Sequence, residues 1–131
     1  MKFLRIAFVA VTMMLAVACS KNSDKPVSAN IEGTWVGKYG TGNNKPGSFF
    51  SFNIKAGGVI EEIDVNGLVK GKGTWKLENN ILSASYTWLP PSSTKFGVLG
   101  AFDASKGQIL GNWGYGASVT DGGLWEMTKK N

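Results

Sequence analysis

From Gly33 onward the chain is cut into short stretches of alternating apolar and polar residues by clusters of glycine, asparagine and proline, and no stretch carries a helical period of useful length. Alternation at period two places successive side chains on opposite faces of an extended strand. Eight such stretches follow one another, at 33–39, 48–56, 59–65, 68–77, 81–88, 95–102, 108–115 and 123–128. Their apolar phases are legible: Trp35, Gly37 and Tyr39 in the first, Phe50, Phe52 and Ile54 in the second, and Leu82, Ala84, Tyr86 and Trp88 in the fifth. Phe96, Val98 and Phe102 share a face in the sixth, Ile109, Trp113 and Tyr115 in the seventh, Trp125 and Met127 in the eighth. In the third stretch Ile60, Glu62 and Asp64 alternate against Glu61, Ile63 and Val65. The fourth pairs Trp75 with Leu77 and is expected to expose Lys70, Lys72 and Lys76.

The punctuation has its own chemistry. Asn66-Gly67 is the strongest hairpin dipeptide, because both central positions of the favoured turn need positive φ. Gly57-Gly58 and Asn79-Asn80 serve likewise, and Pro90-Pro91 breaks pairing because proline has no N–H to give to a ladder. Eight strands joined in order by short turns predict an all-β fold, an antiparallel up-and-down barrel whose closure removes exposed edges. A two-sheet β-sandwich is the alternative. The composition, with 18 glycines and 15 aromatic residues, suits short strands and tight turns.

A glycine, a spacer and a tryptophan recur as Gly33-Thr34-Trp35, Gly73-Thr74-Trp75, Gly111-Asn112-Trp113 and Gly123-Leu124-Trp125. Each tryptophan is expected to face inward beside a glycine that leaves room for it. In an up-and-down barrel the connections alternate between ends. Those at 40–47, 66–67, 89–94 and 116–122 are mostly long, and those at 57–58, 78–80 and 103–107 mostly tight, so the first set marks the mouth. Trp35, Trp75 and Met127 then lie toward the tight end. Tyr39, Phe50, Tyr86, Trp88, Phe96, Trp113, Tyr115 and Trp125 are the candidate ligand-binding residues, toward the mouth or on the inner face leading to it. Core packing is the competing account of all of them, since a small barrel can fill its interior with its own side chains.

Absences narrow the chemistry. The chain has no His, and its one Arg is Arg5. The usual general base and the commonest transition-metal ligand are missing, and so is the bidentate fork for phosphate. Glu61 and Glu62 point to opposite faces and cannot share a site, although one of them can face inward. Asp64-Val65-Asn66-Gly67 lacks the further acidic ligands of a calcium loop and is better explained as a turn. The serines have no base to activate them. No enzymatic activity, catalytic residue, metal or cofactor is expected, with hydrolysis through Glu61 or Glu62 a distant third reading.

The amino terminus carries an address. Met1 to Arg5 is short and cationic, and an apolar run over 6–17 ends in Leu15-Ala16-Val17-Ala18-Cys19. Charge, apolar run and small residues in that order read as a secretory signal, too short for a comfortable span. Cys19 is the only cysteine, so no internal disulfide can form. The ending resembles the lipobox of bacterial lipoproteins, which implies a signal peptide at 1–18, a lipidated Cys19 beginning a flexible tether at 19–30, and a barrel domain at 31–131. Ser20 after the cysteine resembles the outer-membrane class in Gram-negative bacteria, implying a cell-envelope protein. Of 14 cations, Lys2 and Arg5 would leave with the signal, and the remaining 12 face 9 acidic residues along the strands. So diffuse an excess argues against nucleic acid as a partner.

Gly33-Thr34-Trp35 resembles the Gly-x-Trp of the first strand in the calycin superfamily, the lipocalins, avidins and related eight-stranded barrels. The resemblance implies that Gly33 and Trp35 plug the closed end and that Lys129 or Lys130 lies across the Trp35 ring where an Arg is usual. Lysine lacks the planar stacking of a guanidinium, and a cation over an indole contributes about 0.5 to 1 kcal/mol at an exposed site. The chain departs from the lipocalin pattern in leaving no room for a carboxy-terminal helix, and no avidin biotin site is recognisable. The leading functional expectation is a membrane-anchored, non-enzymatic protein that binds a small apolar or amphipathic ligand. The alternative is a protein-interaction module or periplasmic inhibitor that presents the loops 40–47 and 116–122 over a filled barrel.

Overall fold

The structure is a computed structural model that describes residues 30–131; the expected signal peptide, Cys19 and nearly all of the expected tether lie outside the described residues. Eight strands follow in order: β1 (Gly33–Tyr39), β2 (Ser48–Lys55), β3 (Val59–Ile63), β4 (Val69–Glu78), β5 (Ile81–Trp88), β6 (Lys95–Asp103), β7 (Gln108–Tyr115) and β8 (Gly123–Lys129). Each of the eight predicted strands is present, with ends displaced by at most two residues. Every strand pairs antiparallel with its sequence neighbours and β8 returns to β1, so the sheet is a closed up-and-down barrel and the sandwich alternative falls. Among the described residues the one helical segment is the 3₁₀ turn Ala56–Gly58 between β2 and β3.

Of the turns, 66–67 departs from expectation, since only Gly67 takes positive φ, at 82°, and the β3–β4 loop runs over 64–68, whereas 79–80 follows its residues. Asn79 and Asn80 take φ of 51° and 61°, the left-handed pair that a two-residue hairpin needs to match strand twist. Asp64 caps its own turn: its Oδ1 accepts from the backbone N–H of Asn66 at 2.8 Å and of Leu68 at 2.9 Å, which accounts for the acid without a metal.

The lower barrel is solid. Trp35, Phe52, Ile54, Ile60, Leu82, Val98, Ile109, Trp125 and Met127 are all buried. At the tight end Trp35 donates its indole N–H to the Ile31 carbonyl at 2.7 Å and meets Phe102 edge-on, with centroids 5.7 Å apart. Lys129 stands opposite Trp35 in the ladder, but no cation lies over that ring among the described residues. Instead the Lys129 stem crosses Gly33 and its Nζ donates to the Asn30 carbonyl at 2.5 Å, latching the incoming chain across the closed end. The Lys130 backbone N–H bonds the Thr34 carbonyl at 2.8 Å, and its side chain borders an outer groove.

The glycines do not make room for the tryptophans that follow them. A methyl on Gly73 would meet the Ser85 carbonyl oxygen, and one on Gly111 the Leu99 carbonyl oxygen, so these glycines admit the backbone of the neighbouring strand. Space for Trp125 comes from Gly100, where a Cβ would lie 2.7 Å from the indole. Space for Trp113 comes from Gly122, where a Cβ would lie 2.3 Å from the ring.

Candidate functional site: the barrel mouth

Above the filled core the barrel opens into a cavity of about 290 Å³, walled by Tyr39, Phe50, Tyr86, Trp88, Phe96, Trp113 and Tyr115 and completed by Thr41, Glu62, Lys70 and Thr94. Alternation and strand direction together deliver the aromatic wall. Tyr39 and Phe50 meet edge-on at 5.5 Å, and Tyr39 and Trp113 at 5.7 Å. Phe96 lies 4.6 Å from Trp88 and 6.1 Å from Trp113, so the rings form a continuous collar. Trp125, placed with this group by the sequence, lies one layer deeper. It is 1% exposed, stands under Phe50 and Phe52, and does not reach the cavity.

The rim is built from two of the long loops. The Gly40 carbonyl accepts the Trp113 indole N–H at 2.9 Å, and Gly42 N–H donates to the Gly122 carbonyl at 2.8 Å. Segments 40–47 and 116–122 are therefore one connected edge.

Four side chains in the cavity were not among the candidates, Thr41, Thr94 and two charged ones. Glu62 is the inward member of the acidic pair. It stands opposite Gly71 on β4, which stands opposite Trp88 on β5. With only a hydrogen on Gly71, where a Cβ would come within 3.1 Å of the Tyr86 ring and 3.2 Å of the Trp88 ring, the indole spans β4 and donates its N–H to Glu62 Oε2. Glu61 faces outward and is nevertheless buried, under Lys55 at 2.6 Å and Lys72 at 3.8 Å.

Lys70 is the second. A regular ladder would put it outside with Lys72, as the alternation predicts. The register shifts between Glu62 and Ile63, which pairs with Val69, and Lys70 is the extra residue of that bulge. Bulges re-aim side chains, and this one sends the Lys70 ammonium into the mouth, 4.0 Å from Glu62 Oε1 and 4.2 Å from the centre of the Trp88 ring. Lys70 is exposed as expected, but at the mouth rather than on the outer face, while Lys72 and Lys76 are outside and exposed.

Burial among the aromatic walls pushes the Glu62 carboxyl above the ordinary carboxylate range, and the Trp88 N–H, the Lys70 charge and the Tyr86 hydroxyl oppose that shift without cancelling it. Burial first, and the Glu62 charge second, hold the Tyr86 hydroxyl protonated far beyond its usual range. A carboxyl whose pKa is higher in the folded than in the unfolded chain favours folding in its protonated form. That contribution is complete below the unfolded value near 4.5 and is lost as pH rises through the folded value. Glu62→Gln removes the ionisation. Its melting temperature, measured against the unsubstituted protein, should therefore gain ground as pH rises from about 4 to about 7. A difference that moves the other way would contradict the assignment.

Among the described residues no group of three or more His, Cys, Asp or Glu side chains could hold a metal ion. No protein-family model matches the chain, and neither curated proteins nor solved structures show a match to it.

Proposed function

We propose that this protein is a lipid-anchored, non-enzymatic binder of a small amphipathic molecule, held at the cell envelope through Cys19 and taking its ligand at the barrel mouth. The observation that carries the reading is the aromatic-walled cavity with a buried carboxyl at its side. Largely apolar concavities with a few convergent polar groups are the usual form of small-ligand sites. Size restricts the occupant. A dry cavity of about 150 Å³ takes up benzene, so about 290 Å³ suits a one- or two-ring molecule with a polar group rather than a long acyl chain or a haem. The lipocalin-like resemblance points the same way, and the lipobox-like ending at Cys19 supports the anchor.

The joined rim of 40–47 and 116–122 favours a second reading, in which a partner protein docks on that edge as one surface. One set of measurements separates the two. Under the first reading, one- and two-ring amphiphiles shift the intrinsic tryptophan fluorescence saturably, and Thr94→Trp, which fills the mouth, abolishes the response. Cys19→Ala moves the protein from the membrane to the soluble fraction. A response that never saturates, or that survives Thr94→Trp unchanged, removes the cavity reading. Membrane retention of Cys19→Ala removes the anchor.

A further inference from the structure

The mouth already holds a cation of its own. The Lys70 ammonium stands between the Glu62 carboxylate and the face of Trp88, at 4.0 Å from one and 4.2 Å from the other. The carboxylate contact is not close, since a committed ammonium–carboxylate hydrogen bond is about 2.8 Å long, so what holds the ammonium is chiefly the Trp88 face. On the other face of β3 such a bond is made, where Lys55 of β2 meets Glu61 at 2.6 Å. The Lys70 side chain is also 45% exposed, whereas Glu62 is buried. Lys70 is therefore a loosely held occupant on a flexible stem, and when it swings out Glu62 keeps the Trp88 N–H. What remains is a buried carboxylate bonded to the indole edge of Trp88, the Trp88 face that Lys70 vacates, and Phe96 against Trp88, with no other cationic side chain in the cavity wall. Aromatic faces and a desolvated anion together attract an organic cation.

We propose that the mouth is a seat for a small organic ammonium ion carried on an apolar body, which displaces Lys70 and takes the place of its ammonium between Glu62 and Trp88. This inference rests on the small-ligand reading and gives it a chemical class. The alternative class, an anionic amphiphile, would use Lys70 as its partner instead of displacing it. Lys70 is thus a competitor in one case and a ligand in the other, and its removal has opposite effects.

The experiment compares four probes of one size, phenethylamine, phenyltrimethylammonium, 2-phenylethanol and phenylacetate, titrated into the full chain by tryptophan fluorescence and calorimetry. The two cations should bind at least about ten-fold more tightly than the alcohol, in line with a desolvated cation–aromatic contact. Lys70→Met should tighten phenethylamine by about ten-fold, and Glu62→Gln should weaken it by about as much or more, with thermal melts confirming that both variants fold. Phenylacetate binding as tightly as phenethylamine, or Lys70→Met weakening the amine, overturns the cation seat while leaving a small-ligand site in place. Preference for the neutral alcohol does the same. Silence from all four probes removes the inference and the small-ligand reading together. The sign of the Lys70→Met effect decides the class whatever the folding of Glu62→Gln.

Discussion

Gly37→Ala is expected to open the barrel at its closing seam. Gly37 faces Met127 across the β1–β8 ladder, the pairing that turns a meander into a closed sheet. An added Cβ would lie 1.8 Å from the Glu126 carbonyl oxygen and 2.7 Å from the Met127 Cα. These are backbone atoms, so no side-chain rotation relieves the contact, and the two strands must separate. Overpacking in a core typically costs about 1–3 kcal/mol where side chains can yield. Here the loss should exceed that range and approach the whole stability of a small domain, about 5–15 kcal/mol. A separated seam would also leave two unpaired edges, an invitation to aggregate. Near-ultraviolet circular dichroism and size-exclusion chromatography would show it as lost tertiary signal and higher-order species. Gly47→Ala is the control: its Cβ would meet nothing nearer than the Lys45 carbonyl oxygen at 3.8 Å, and that variant should behave as the parent. A Gly37→Ala protein that melts within a few degrees of Gly47→Ala would show that the seam tolerates a side chain.

Trp125→Ala should cost about 3–5 kcal/mol, the range for removing a buried tryptophan or phenylalanine. Trp125 forms the layer between the solid lower core and the mouth, with Phe50 and Phe52 meeting its ring edge-on at 6.0 and 5.9 Å. Its indole N–H bonds the Asn112 carbonyl at 2.8 Å, so truncation leaves a void and an acceptor without its donor. Gly100 holds the space the indole occupies and offers no side chain to refill it. Trp125→Phe keeps a ring and should lose less. Urea denaturation followed by circular dichroism measures both. A loss below about 1 kcal/mol for the alanine variant would mean that the layer collapses freely, against the close-packed interior described above.

Strand count, strand order and the inward face of nearly every strand could be read from residues alone. Each depends on local rules: period-two alternation sets the face, and asparagine or glycine at positive φ sets the turn. The asymmetry of loop lengths likewise marked the mouth, and seven of the eight aromatic candidates stand in its wall. Trp125 did not, because depth along a barrel is set by how far neighbouring strands are staggered, and no strand carries that information by itself.

The two charged groups of the cavity mark the boundary most sharply. Glu62 shares a face with Ile60, but its neighbour Glu61 is equally acidic, and only the burial of Ile60 says which face is the inside. Alternation placed Lys70 on the wrong face. The bulge that turns it inward is a mismatch between β3 and β4, a property of the pair, and a single extra residue reverses the face of one side chain. Residue order thus carried the barrel and its aromatic collar, since those follow from neighbours along the chain. The charge in the mouth came from register between strands, which exists only once the sheet has closed.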